Sequence, residues 1–117
     1  MKKSLSLFFI FAFISPFALN AISTFNGQLV YLKQCRVCHL SSKIFVTTHT
    51  ADEWNKILDS EGTSLSNIHL NKDEAYVDSK EGIRKSSHTY FKSDEYKHKY
   101  GELKAYIIES AKNNEKN

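Results

Sequence analysis

The chain is short of several things that commonly define a protein. It has two cysteines, one proline, four glycines and one methionine in 117 residues. Two cysteines cannot build a disulfide framework, and without a second cysteine pair a zinc module lacks two good ligands. The lone proline, Pro16, and the sparse glycines leave no linker of domain-boundary character. No repeat is present, and no low-complexity segment beyond a polar tail at 112–117. There is no glycine-rich phosphate loop, no defensible Ser/His/Asp triad and no carboxylate pair suited to hydrolysis. A large excess of one charge is missing too. The formal net charge of +3 includes Lys2 and Lys3; the 16 Lys and Arg less those two leave 14, against 13 Asp and Glu. The charges are interspersed, so nothing in them points to nucleic acid.

What is present begins with a leader. Lys2 and Lys3 form a positive start, Leu5 to Phe17 an apolar stretch broken late by Pro16, and Ala18-Leu19-Asn20-Ala21 a small-residue exit. Residues 1–21 therefore read as a secretory signal cleaved after Ala21, with Leu19 bulkier than ideal for its position. The alternative is a retained anchor, but the apolar stretch falls short of the roughly 20 residues that span a bilayer comfortably. No stable membrane insertion is expected after cleavage, and no cysteine lies nearby to make a lipoprotein. Residues 22–117 then form one small, monomeric domain of about 96 residues.

Both cysteines fall in Cys35-Arg36-Val37-Cys38-His39. Cys-x-x-Cys-His is the pattern of covalent c-type haem attachment, which occurs outside the cytoplasm. Each thiol can add across a haem vinyl group, and the two-residue spacer sets both sulfurs against one porphyrin edge. His39 then supplies the proximal imidazole. Three rivals stand beside this reading: a redox dithiol, a zinc half-site and a plain structural disulfide. The dithiol expects a strand before a helix, whereas the segment upstream is helical in pattern. A disulfide would close a very small loop and constrain little, whereas a large apolar macrocycle supplies much of a core to a small domain.

Gly27 and Tyr31 ahead of the pentapeptide, the Trp54 helix after it, and a closing helix with Leu103, Tyr106 and Ile107 together resemble the class I c-type cytochromes. The likeness runs loosely over most of residues 22–117, and the pentapeptide is its specific part. It implies an all-α fold, a small cytochrome c-like helical bundle around one covalent haem c. Cys35 and Cys38 would bind the cofactor and His39 its iron. It also implies that the first and last helices cross beside the haem, with Gly27 permitting close approach near Tyr106 or Ile107. The chain departs from the family at the distal ligand. Its only methionine is Met1, so a His/Met site is excluded.

Four histidines remain for the sixth position. His88 lies 49 residues beyond His39, close to where the family places its distal ligand, and is preferred. His69, between Ile68 and Leu70, is the main competitor; His49 suits a local hydrogen bond, and His98, between Lys97 and Lys99, suits solvent. Two imidazoles would give a closed, low-spin iron and an exported carrier of one electron between periplasmic redox partners in transient contact. An open iron would instead bind a small gas, or less readily turn over peroxide. Electron carriage is favoured over catalysis, and no catalytic residue is assigned.

Helical patterns organise the rest. Phe25, Leu29 and Leu32 suggest an apolar face on a helix over Thr24 to Gln34. Leu40 to His49 has β-like composition and is expected as an extended loop packing Ile44 and Phe45 on the macrocycle. Thr50-Ala51-Asp52-Glu53 is a capping box opening a helix with Trp54, Ile57 and Leu58 on one face, ending by Gly62. Residues 62–69 are ambiguous, and 71–85 suggests a short helix or two on weak anchors at Ala75, Tyr76 and Ile83. A last helix should begin near Gly101 or as early as Asp94 and fray over 112–117. Tyr90, Phe91, Tyr96, Tyr100 and Tyr106 are expected to wrap the macrocycle, a few hydroxyls reaching a propionate. Lys92, Lys97, Lys99 and Lys104 outline a docking patch diluted by nearby acids.

Overall fold

The computed structural model describes residues 16–72 and 82–116, with side chains from residue 23 onward and except at Ser60. Most of the leader and the anchors Ala75 and Tyr76 therefore lie outside the described residues. Among the described residues every regular element is helical. They are α1 (Pro16–Val30), α2 (Arg36–His39), α3 (Ser42–Phe45), α4 (Ala51–Ile57), α5 (Thr63–Leu70), α6 (Ile83–Lys92) and α7 (Asp94–Glu115). A π-helical turn, Tyr31–Cys35, joins α1 to α2, and 3-10 turns lie at Val46–Thr48 and Ser60–Gly62. No helix of the described residues is long and apolar enough to cross a membrane.

The principal packing is α1 across α7, and Gly27 is the reason it can be so close. A Cβ built on Gly27 would lie 2.0 Å from the Glu102 carbonyl oxygen and 2.6 Å from Tyr106 Cβ. The expected approach of the terminal helix to Gly27 is therefore present, at Glu102 and Tyr106. The expected apolar face of α1 is corrected. Phe25, Leu29 and Leu32 are exposed, while Gly27, Val30 and Tyr31 face the core. Helix α1 is apolar on more than one side, so a stripe at three- and four-residue spacing did not identify the buried one. Backbone proximity did, because only the glycine face admits another helix.

Residues 40–49 are also corrected. They form no extended segment but two helical turns, whose ends are closed by threonine hydroxyls. Thr47 Oγ1 donates to the Ile44 carbonyl and Thr48 Oγ1 to the Phe45 carbonyl, each at 2.7 Å. Without a neighbouring strand, β-branched residues have no ladder to join, and local side-chain bonds decide the backbone instead. Phe45 packs against the core, whereas Ile44 stays exposed.

The capping box forms as expected. Thr50 Oγ1 accepts from the Glu53 amide at 3.2 Å, and Glu53 Oε2 accepts from the Thr50 amide at 2.8 Å. Helix α4 ends at Ile57, ahead of Gly62, and buries Trp54, whose indole N–H donates to the Val46 carbonyl at 2.8 Å. Helix α7 does begin at Asp94, with Ser93 as its cap, but it does not fray over 112–115. Ala111 is buried and Glu115 Oε1 accepts from the Ala51 amide at 2.8 Å, tying the end of the chain to the start of α4. That carboxylate meets unpaired amides at a helix N-terminus, where negative charge is favoured.

The aromatic run of α6 and α7 serves the fold more than expected. Tyr96 Oη donates to the Gly62 carbonyl and Tyr100 Oη to the Leu58 carbonyl. Tyr106 Oη pairs with Ser42 Oγ at 2.6 Å. Three hydroxyls thus hold turns of the bundle. Burial raises the Tyr96 phenol well above its ordinary value and the Tyr100 phenol to about 12, with Tyr100 beside Asp59.

Candidate functional site

The pentapeptide sits where α1 gives way to α2. The π-turn Tyr31–Cys35 inserts an extra residue into the helical ladder just before it, a feature that often re-aims side chains at working sites. Cys38 is exposed and Cys35 half-buried, and the two thiols are not bridged. Burial, then the neighbouring Cys38, pushes the Cys35 thiol up to about 12. A thiol held protonated is a poor exchange nucleophile, so Cys35 is not the attacking thiol of an exchange reaction.

Directly after His39 the chain turns sharply through Leu40, at φ +66°. A non-glycine residue in that region costs of order 1–3 kcal/mol and persists only where its surroundings impose it. Here Tyr31 Oη donates to the Leu40 carbonyl at 2.9 Å. Tyr31 is fully buried, stacked with Phe45 and tilted against Tyr106. One aromatic thus links the α1–α7 crossing to the turn that orients His39.

His39 faces a cavity of about 310 Å³ between α2, α5 and α6, lined by Val37, Cys38, His69, Ile83 and His88 among others. Its ring is stacked on Phe45 at 4.2 Å between centroids. Across the cavity the His69 ring lies 6.0 Å away, with the two planes at 84°. His69 Nδ1 is 2.8 Å from the Leu65 carbonyl oxygen, and Phe91 stacks on the ring at 4.1 Å. Desolvation, and for His39 also the second imidazole, lowers the pKa of both rings. Both are therefore held neutral, the form in which imidazole ligates metals.

The structure brings Cys38, His39, His69 and His88 to one cavity, with Cys35 beside it in the core. His49 does not join them; it pairs with Thr48 Oγ1 at 2.9 Å, the local bond expected, and lies edge-on to Trp54. His98 is exposed, as expected. The residue whose part was underrated is Tyr90. Its hydroxyl is buried beside Cys35 with no hydrogen-bond partner, and desolvation raises its pKa strongly. Only its place in an aromatic run marked it in the sequence.

A bound macrocycle is tested by two further observations. Val37 and Ile83, which line the cavity, leave 62% and 41% of their surface open to water. That apolar rim gains by being covered. Meanwhile no three His, Cys, Asp or Glu side chains among the described residues converge as a metal site. A metal between His39 and His69 would take only two protein donors, and a porphyrin is a group that would supply four more. Covalent haem fits the donor set and the apolar rim.

The expected lysine patch is partly neutralised. Lys97 pairs with Asp94 at 3.8 Å and Lys99 with Glu95 at 3.7 Å, both along α7. Comparison with protein-family models, with curated proteins and with solved structures gives no match to this chain.

Proposed function

We propose that this chain is an exported, cytochrome c-like electron carrier with one covalently attached haem c. Cys35 and Cys38 form the thioether links and His39 is the proximal ligand. The observation that carries the reading is the Cys-x-x-Cys-His, running from the π-turn into α2, beside a cavity that holds a facing histidine and an apolar rim. When bound, the haem supplies a reversible one-electron Fe(III)/Fe(II) couple.

The protein's share of the work is positional. Cys35 and Cys38 retain the cofactor in a compartment where a dissociable one would be lost. Tyr31 and Phe45 hold the turn and the ring of His39. The rim residues exclude water from one face, which restricts reorganisation of solvent when charge changes. Partners are periplasmic redox proteins that touch the exposed cofactor edge through a small, transient interface. Paired lysines on α7 make strong electrostatic steering a minor part of that encounter.

The test is expression of the full chain in a host competent for cytochrome maturation. Mass spectrometry of the exported protein should show one covalent haem and loss of residues 1–21. Cys35→Ser and Cys38→Ser should each break one link and lower the yield of loaded protein. Wild-type protein without covalent haem, in cells that mature a control cytochrome, refutes the proposal. A loaded protein that fails to accept and return one electron in a spectroelectrochemical titration refutes the carrier role.

A further inference from the structure

We infer that His69, on α5, is the second axial ligand and closes the iron held by His39, an inference resting on the haem reading above. The argument is geometric. Two imidazoles bound on opposite sides of one metal, each at about 2.0–2.1 Å, hold their ring centroids about 6 Å apart. His39 and His69 stand at 6.0 Å. Their planes cross at 84°, so the rings are not stacked face to face.

The tautomer of His69 also follows from its partner. A carbonyl oxygen can only accept, so the 2.8 Å contact to Leu65 places the proton on Nδ1. The Nε2 lone pair is then left for a metal, the arrangement that a backbone carbonyl commonly imposes on a ligating histidine through its other nitrogen. Leu65 lies one helical turn back on α5, and Phe91 of α6 stacks on the ring at 4.1 Å and 19°. Ligand orientation is thus set by two independent contacts. His88 lies on the wall of the same cavity, but among the described residues no ring contact or hydrogen bond orients it in this way.

The consequence is functional. A ligand fixed on a helix by a backbone bond and an aromatic face does not swing aside for a diatomic gas. The iron is closed, and the protein carries electrons without binding small ligands. Two imidazoles also set a lower potential than a His/Met pair, which raises it.

The experiment uses the full chain matured to the holoprotein, with covalent haem first established by mass. Low-temperature electron paramagnetic resonance of the ferric protein should give a low-spin, highly anisotropic signal, because near-perpendicular imidazole planes leave two iron d-orbitals almost degenerate. His69→Ala should turn the iron high-spin and let the ferrous form bind carbon monoxide, and added imidazole should restore the low-spin state. His88→Ala should leave the wild-type signal intact. A low-spin iron that survives in His69→Ala, or is lost in His88→Ala, overturns the assignment. Should His69→Ala not accumulate, His69→Met should stay low-spin with a raised potential; an unchanged potential overturns it. A wild-type signal of near-parallel ligand planes also overturns it, without any variant. Wild-type protein lacking covalent haem would instead sink the haem reading itself, a distinct result.

Discussion

Gly27 is where a single methyl group decides whether the bundle closes. Alanine there has two opposed effects. In a helix interior it is favoured over glycine by roughly 0.5–1 kcal/mol. Against that, its Cβ would sit 2.0 Å from the Glu102 carbonyl oxygen and 2.6 Å from Tyr106 Cβ. Ordinary contact begins at 3.4 Å, so α1 and α7 would have to part by about 1.4 Å along that line. The first obstacle is backbone, which cannot swing away as a side-chain end can. Overpacking typically costs about 1–3 kcal/mol, and a backbone obstacle belongs at the upper end. The net for Gly27→Ala is a loss of about 2 kcal/mol, or roughly 10 °C in Tm for a domain of this size. Gly101, in the middle of α7, is the control: a Cβ there meets nothing within 4 Å. Gly101→Ala should therefore gain about 0.5–1 kcal/mol. Guanidinium and thermal unfolding of both variants, followed by circular dichroism, make the comparison. Equal effects of the two substitutions, or a stabilised Gly27→Ala, would refute the close-approach argument.

Three further outcomes are expected. Thr50→Ala removes the side-chain half of the capping box on α4 and should cost about 1 kcal/mol in denaturant unfolding, with Thr50→Ser largely neutral. Trp54→Phe keeps an aromatic ring but leaves the buried Val46 carbonyl without its indole donor, so a loss of about 1–3 kcal/mol is expected, measured the same way. Burial, aided by Cys35 and Tyr106, raises the Tyr31 phenol from 10.0 to about 12. A raised phenol pKa means the folded state keeps its proton longer. Its contribution is fully present below pH 10 and is lost as pH rises toward 12. Unfolding free energies between pH 9 and 12 should fall, and Tyr31→Phe should flatten part of that slope while losing the bond to Leu40; an unchanged slope would mean Tyr31 does not titrate with folding.

Much of the fold was legible because its signals are local. The Thr50–Glu53 box marks a helix start through groups three residues apart, and both of its bonds form. The last helix begins at Asp94, the earlier of the two expected starts, where the Ser93 hydroxyl accepts from the Tyr96 amide. Gly27 and Tyr31, four residues apart, placed the α1–α7 crossing through the family resemblance, and the crossing lies there. The misreadings share a cause. The spacing of apolar residues on α1 and the composition of 40–49 are both local signals, yet the buried face and the backbone depend on what stands opposite. The tail at 112–115 is polar, but Glu115 finds a partner 64 residues away, which no local pattern announces.

The candidate site divides along the same line. Cys35, Cys38 and His39 belong together by covalent spacing alone, since a two-residue spacer holds both sulfurs and the imidazole to one helical turn. Which histidine faces His39 is another kind of question. His69 and His88 lie 30 and 49 residues further on, and chain separation says nothing of distance once helices fold back on each other. His69 carries the hydrogen bond to Leu65 because it stands one turn further along a helix, which its sequence allows but does not require. The stack on Phe91 exists only because α5 and α6 pack together. Sequence by itself determined the Cys-x-x-Cys-His spacing and the start of α4, because these act over a few residues. Tertiary structure decided the buried faces and the 6.0 Å imidazole pair, because each depends on surfaces brought together only when the chain closes.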